Sequence, residues 1–312
     1  MPITSADVVD LRLQQLSKDV RLAAQNRQVF RQFVRPEGDF GAHMGDEVKF
    51  ITVGNIAEEG REVSEDGDIP QGTLPIRAKL ATVREYRLEI PWNDRASLLS
   101  QLSLESMIIR QLTNNGIQKL DKLSAVPFRT CEFVYTPTGP IGNKNFTLGT
   151  AGVALAVASR PVSAYDLKNI RGLMKSTYNI PGFAGSSQYV GIVTESTSRS
   201  LSDDPEYVDI MKRYKPAQLL NGEMTEYYNF RILEENNCLN NNLPNGCGEC
   251  VFFGDDPVVE LELYPFELQR ALAESYGRTK AICWVWYGGF ARTWNFATDG
   301  EIRMMRVGSL PA

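Results

Sequence analysis

The feature that most constrains this chain lies between Glu47 and Leu123. Two strand-like runs, Glu47 to Ile56 and Arg77 to Ile90, flank the acidic, turn-rich segment AEEGREVSEDGDIPQGTLP and lead straight into a long helical pattern. In the second run Leu80, Thr82, Tyr86, Leu88 and Ile90 fall on one face and Lys79, Glu85, Arg87 and Glu89 on the other, the alternation of a strand. The two runs read as a long two-stranded hairpin. An isolated hairpin buries too little apolar surface to offset an ordering entropy of about 1–2 kcal/mol per residue, so this one requires a neighbour.

The residues before the hairpin have the same need. Val9, Leu13, Leu16, Val20 and Ala23 recur at spacings of four and three, which predicts an amphipathic helix within residues 6 to 34, capped by Ser5 and ended by Pro36 and Gly38. Its other faces are polar and mildly basic, with Arg12, Lys18, Arg21, Arg27 and Arg31. Extensions of this kind are usually stabilised on other subunits, although both segments folding back on their own domain is the alternative.

After the hairpin, Asn93 and Asp94 are N-cap candidates for a helix through Leu123, with Leu98, Leu102, Ile109 and Leu112 at helical spacing and Gly116 as a candidate bend. CEFVYTP reads as a strand, TGPIGNKNFTLGTAG as a loop, Ser163 to Lys175 as a helix with Leu167 and Ile170 inward, YVGIVTE as a buried strand, and Pro205 to Tyr214 as a helix. Tyr228 to Leu263 reads as strands around an Asn/Gly/Cys loop. A turn or helix near Glu267 to Ser275 precedes two further strand-like stretches, Ala281 to Phe296 and Glu301 to Val307. The compact part is therefore of α+β type.

Composition removes several function classes. With 43% hydrophobic and 23% charged residues the chain can bury a real core. The net charge of -5, with both signs interspersed, leaves no basic stripe to neutralise a phosphate backbone, so direct nucleic-acid binding is not expected. The N-terminus lacks a signal-peptide pattern, and no stretch approaches the ~20 apolar residues that span a bilayer. Assembly in the cytoplasm where the chain is made, without a membrane, is the expectation. The five cysteines, Cys131, Cys238, Cys247, Cys250 and Cys283, are an odd number, for which reduced thiols are the default.

In the order of amphipathic arm, GDEVKFITVG, acidic loop, REYRLEIPWND, the helix SLLSQLSLESMIIRQLTNNGIQKLDKL, and then CVFFGDDPVVE and YGRTKAICWVWYGGFARTW, the chain resembles the major capsid proteins of tailed bacteriophages. These have the Hong Kong 97 type of fold, and the likeness is to the branch of the coliphage N-four coat protein in particular. The resemblance implies an N-terminal arm over residues 1–44, an extended loop over 45–92 that reaches a neighbouring subunit, and a peripheral domain with a spine helix over 93–160. It further implies an axial domain over 161–250 and a return to the peripheral domain over 251–312.

The implied function is self-assembly into an icosahedral head shell through pentamers and hexamers, with scaffolding, portal and decoration proteins as further partners, no cofactor and no catalysis. The acidic tip, with Glu58, Glu59, Glu62, Glu65, Asp66 and Asp68 against Arg61 alone, suits a basic surface on the adjoining subunit. A merely solvated loop is the competing reading. Arg21, Arg27 and Arg31 are the arm's contact candidates. Some members cross-link their shells by lysine–asparagine isopeptide bonds; no lysine lies between Phe50 and Ala78, so no such bond is expected here.

Other chemistries find few parts. The sole histidine, His43, sits in GAHMGD, and neither GxSxG, GxxxxGK[ST] nor GxGxxG occurs. Cys247 and Cys250 form a CGEC pair with Cys238 upstream, which leaves free loop thiols, a structural metal or disulfide, and a redox dithiol as readings, the first preferred. Trp284, Trp286, Tyr287, Phe290 and Trp294 form an aromatic cluster, ordinarily used for core or intersubunit packing. A portal or tail subunit and an oligomeric enzyme are the rival functions.

Overall fold

The computed structural model describes residues 28–37, 45–56, 59–60, 62–63, 69–100, 103–142, 146–149, 158–214, 226–235, 237–239, 248–272, 278–294 and 301–310. The amphipathic helix expected up to Val34 therefore lies mostly outside the described residues. Of the arm, Arg31–Phe33 form a 3-10 turn and Arg35–Glu37 form strand β1. This part folds back on its own body: Val29, Phe30 and Phe33 are buried in the main core.

Strands β2 (Glu47–Val53) and β3 (Ile76–Thr82) pair antiparallel as the hairpin, with Val53 opposite Ile76 and Glu47 opposite Thr82. The second predicted run is two strands. At Val83, whose N–H donates to the Asp46 carbonyl at 2.8 Å, the chain leaves the ribbon, and β4 (Arg84–Asn93) joins a different sheet. Gly289 permits the crossing, since a Cβ there would overlap the Thr82 carbonyl.

Helix α1 (Asp94–Leu99) is capped by Asn93, whose Oδ1 accepts from the Arg95 N–H at 2.9 Å. The single long helix expected from Asn93 is broken after Leu99. It restarts as α2 (Leu104–Arg129) with Ser103 as N-cap. Gly116 marks a close approach and no boundary: a Cβ would overlap the Phe266 ring. Strands β5 (Val134–Pro137) and β6 (Phe146–Gly149) follow, the latter inside the expected loop.

Helix α3 (Ala164–Gly172) carries a capping box from Ser163 and Asp166 and buries Leu167 and Ile170 as its spacing predicts. After β7 (Tyr189–Val193) come α4 (Glu195–Ser202) and α5 (Pro205–Tyr214). Strands β8 (Glu226–Tyr227), β9 (Phe230–Glu234), β10 (Gly248–Phe253), β11 (Val259–Arg270), β12 (Thr279–Ala291) and β13 (Met304–Ser309) complete the elements. Of the turn or helix expected over Glu267 to Ser275, the part to Arg270 is strand, because β11 runs on through two register shifts around Tyr264 and Pro265, and residues 273–275 lie outside the described residues.

The result is a mixed α/β architecture. A four-stranded sheet ordered β1-β11-β12-β4 carries α2 across one face, burying Ile108, Leu112, Leu120, Trp284 and Trp286 between them. A seven-stranded sheet ordered β6-β5-β13-β10-β7-β9-β8 forms the second core with α3 and α4. Ala125 and Phe128, at the C-terminal end of α2, belong to that second core, so one helix ties the two together.

Candidate assembly surfaces

Alternation along β2 and β3 gives the hairpin two faces. The inner face, with Val48, Phe50 and Ala81, packs on Leu261, Leu263 and Ala291 of the chain's own body. Arg77 reinforces it, its guanidinium donating to Glu301 at 2.9 Å. Lys79 shares this face, and burial, with the nearby charge of Arg292, lowers its pKa. Among the described residues nothing covers the outer face: Ile51, Val53, Ile76 and Leu80 are 68%, 51%, 63% and 61% exposed. Four large apolar side chains in one exposed band mark a candidate interaction surface.

Of the predicted tip contacts, Glu59 and Glu62 are described and exposed. Glu58, Arg61, Glu65, Asp66 and Asp68 lie outside the described residues, as do Arg21, Arg27 and His43. Arg31 is engaged within its own chain, donating to Glu260 Oε1 at 2.8 Å.

The cysteines are held by different partners. Cys238 sits in a turn organised by the buried Glu235, whose carboxylate accepts from the N–H groups of Asn237, Cys238 and Leu239 at 2.6–3.0 Å. Its thiol lies 3.6 Å from Asp121 Oδ2. Burial, then the charges of Glu235 and Asp121, push the Cys238 thiol up. Asp121, Glu235 and Cys238 place one ligand atom each within 4.8 Å of one another. The carboxylates already serve backbone donors, Asp121 accepting from Val29 and Arg31 N–H at 3.3 and 3.0 Å. Composition alone does not expose this cluster, because Asp121 is over a hundred positions from its partners. Cys250 is fully buried with its thiol 3.1 Å from Thr197 Oγ1, and burial pushes it up to about 12. Cys247 lies outside the described residues.

Two further buried carboxylates are matched by partners inside the chain. Glu249 accepts from Arg129 at 2.9 Å and Arg306 at 3.1 Å. Asp166 accepts from Arg160, Ser163 and Tyr135, and burial followed by the Asp166 charge raises the Tyr135 phenol. Charged pairs satisfied in this way fix the fold. The aromatic cluster is packed too: Trp286 stacks on Phe290 at 5.4 Å between ring centroids, and the Trp284 N–H donates to Asn115 at 3.2 Å. Among the described residues no helix is long and apolar enough to cross a membrane.

No protein-family model and no curated protein sequence matches the chain. Solved structures do. The capsid of Helicobacter pylori bacteriophage KHP30 superposes with a TM-score of 0.71 at 10% identity, over 97% of this chain and 96% of that one. The capsid of the cyanophage P-SCSP1u gives 0.69 at 13% identity over 98% and 95%. The capsid of Ralstonia phage GP4 gives 0.68 at 12% identity over 96% and 95%. The chain has the fold of phage capsid proteins along nearly its whole length.

Proposed function

We propose that the chain is the major capsid protein of a tailed bacteriophage, a non-catalytic subunit that assembles with itself into the icosahedral head shell around the genome. The observation that carries this reading is the exposed apolar outer face of a hairpin on a chain whose full length follows phage capsid folds. That the matched structures are capsids favours a shell subunit over a portal or tail subunit.

In this reading residues 1–44 are the arm, 45–92 the extended loop and 93–160 the peripheral domain with α2 as its spine helix. Residues 161–250 form the axial domain and 251–312 return to the peripheral domain. The tie that α2 makes between the two cores supports its part as a spine. Pentamers and hexamers form through heterologous contacts, each using a patch many times over. At about 25 cal/mol per Å² of apolar area, interfaces of obligate size supply a large gross stabilisation, most of it offset by ordering and association. Scaffolding, portal and decoration proteins are the expected partners in the host cytoplasm, DNA is met loosely, and the cysteines stay reduced.

Sedimentation velocity of the purified full chain over a range of concentration tests this. Capsomer-sized or shell-sized species support it, and a monomer at every concentration overturns it. Shells held without covalent cross-links dissociate in boiling detergent to one band at the mass of the chain, 34.9 kDa.

A further inference from the structure

Segments far apart in the sequence close on one carboxylate. Asp121, on α2, is fully buried; its Oδ2 accepts from the Val29 N–H at 3.3 Å and its Oδ1 from the Arg31 N–H at 3.0 Å. The Cys238 thiol reaches the same Oδ2 at 3.6 Å. An arm residue and a residue of the turn after β9 therefore share a single oxygen. Glu235, which organises that turn, is buried as well, and its carboxylate lies within 4.8 Å of Asp121. Among the described residues no lysine or arginine forms an ion pair with either carboxylate, since the Arg31 guanidinium is turned to Glu260. Backbone N–H groups are what hold these two acids out of water, and both of those on Asp121 come from the arm.

Residues 29–37 of the arm are anchored as a strap. Phe30 is fully buried with its ring centroid 5.3 Å from that of Phe128, the Arg35 N–H donates to the Val258 carbonyl at 3.0 Å, and β1 lies along the edge of its sheet. With the strap lifted, Asp121 loses both N–H donors and keeps only a thiol, a weak donor, with Glu235 still beside it. A buried carboxylate in that state turns to water, away from Cys238, and the turn loses its hold on α2. A docked strap and a closed turn thus favour each other, and a coupling of this kind acts equally in both directions. We infer that the strap and the turn at Cys238 are one latch closed on Asp121, so that they open together and the docked strap keeps the Cys238 thiol sealed. Burial, with the charges of Glu235 and Asp121, favours the neutral thiol there, which is the unreactive form. The latch belongs to the single subunit and is independent of the capsid reading.

Thiol labelling and hydrogen exchange on the full-length protein test it. Alkylation by N-ethylmaleimide, located by mass spectrometry, reads each cysteine separately, and exchange reads residues 29–37. Arg31→Gln removes the strap's pair with Glu260 and is expected to quicken exchange in the strap and to raise the Cys238 labelling rate about tenfold, with the fully buried Cys250 unchanged. Glu235→Gln, made in the turn, is expected to quicken exchange in the strap by a comparable factor, and the double variant to gain less than the product of the two. Should Arg31→Gln leave strap exchange at the wild-type rate, Phe30→Ala, which removes the strap's buried anchor, repeats the test. Faster exchange in the strap with an unchanged Cys238 rate overturns the inference, because the two segments then open separately. Wild-type strap exchange in Glu235→Gln overturns it from the other side. Cys238 and Cys250 quickening in step would show the whole body opening and would overturn it as well.

Discussion

The Arg77 guanidinium on the inner face of the hairpin donates to Glu301 at 2.9 Å, and Glu301 is only 5% exposed. This bridge pins the ribbon to the body, next to Gly54, where any side chain would collide with the same carboxylate. Arg77→Ala leaves Glu301 buried without its charged partner, and the expected cost is about 1–3 kcal/mol. Hydrogen exchange in 47–53 and 76–82 should quicken in the variant. An unchanged melting temperature and unchanged exchange would show the bridge to be incidental.

Gly116 is in the middle of α2, where glycine costs about 1 kcal/mol relative to alanine, so its presence needs a reason. The reason is steric: the Phe266 and Trp284 rings occupy the space of its side chain. Gly116→Val is expected to destabilise the chain by about 1–3 kcal/mol through overpacking, read as a lowered denaturation midpoint. A midpoint at or above wild type contradicts this packing.

On the outer face of the hairpin, Val53→Asp and Ile76→Asp touch no core residue of the chain. Each single change is expected to cost no more than about 1 kcal/mol through strand propensity, and the pair somewhat more because the two carboxylates stand directly opposite one another. Assembly, in contrast, should be lost when the two are combined, as light scattering under assembly conditions would report. Wild-type assembly by the double variant would show that this face stays in solvent.

Alkaline pH should weaken the fold. Burial raises the thiols of Cys131, Cys238 and Cys250, the last to about 12, and the phenols of Tyr135 and Tyr227, all above their ordinary values of 9.0 and 10.0. Each group is neutral when protonated, so the folded chain keeps a proton that the unfolded chain releases. The stability they contribute is complete below pH 9 and is lost as pH rises toward 12, at up to about 1.4 kcal/mol per pH unit for each group. Urea melts at pH 8, 9, 10 and 11 should show a midpoint that holds to about pH 9 and falls above it, and Cys250→Ala should shallow the fall.

Much of this fold was legible because its elements obey local rules. The hairpin follows from alternation, α3 from Ser163, Leu167 and Ile170, and β7 from an unbroken apolar run that is buried throughout. What escaped has local causes as well. Helix α4, ESTSRSLS, has no apolar stripe to announce it and drew no assignment from the sequence; in the fold the Ser200 and Ser202 hydroxyls donate to the carbonyls of Ser196 and Ser198 one turn back. Pro265 and the register shifts beside it hide the end of β11.

The faces of the second run were harder. Tyr86 and Ile90 pack toward α2 as their spacing predicts, whereas Leu80 and Leu88 are exposed. Alternation alone cannot separate a face buried on the chain's own body from one left exposed. The convergence on Asp121 was beyond reach for a related reason: Val29, Asp121 and Cys238 come from three separate segments that only the fold brings together.

Electron microscopy of the purified full-length chain, concentrated under conditions that favour assembly, tests the central claim most directly. The account predicts five- and six-membered rings or closed icosahedral shells, with hairpin density crossing from each subunit onto the next. Isolated subunits at every concentration, or oligomers in which the hairpin touches only its own chain, would contradict it.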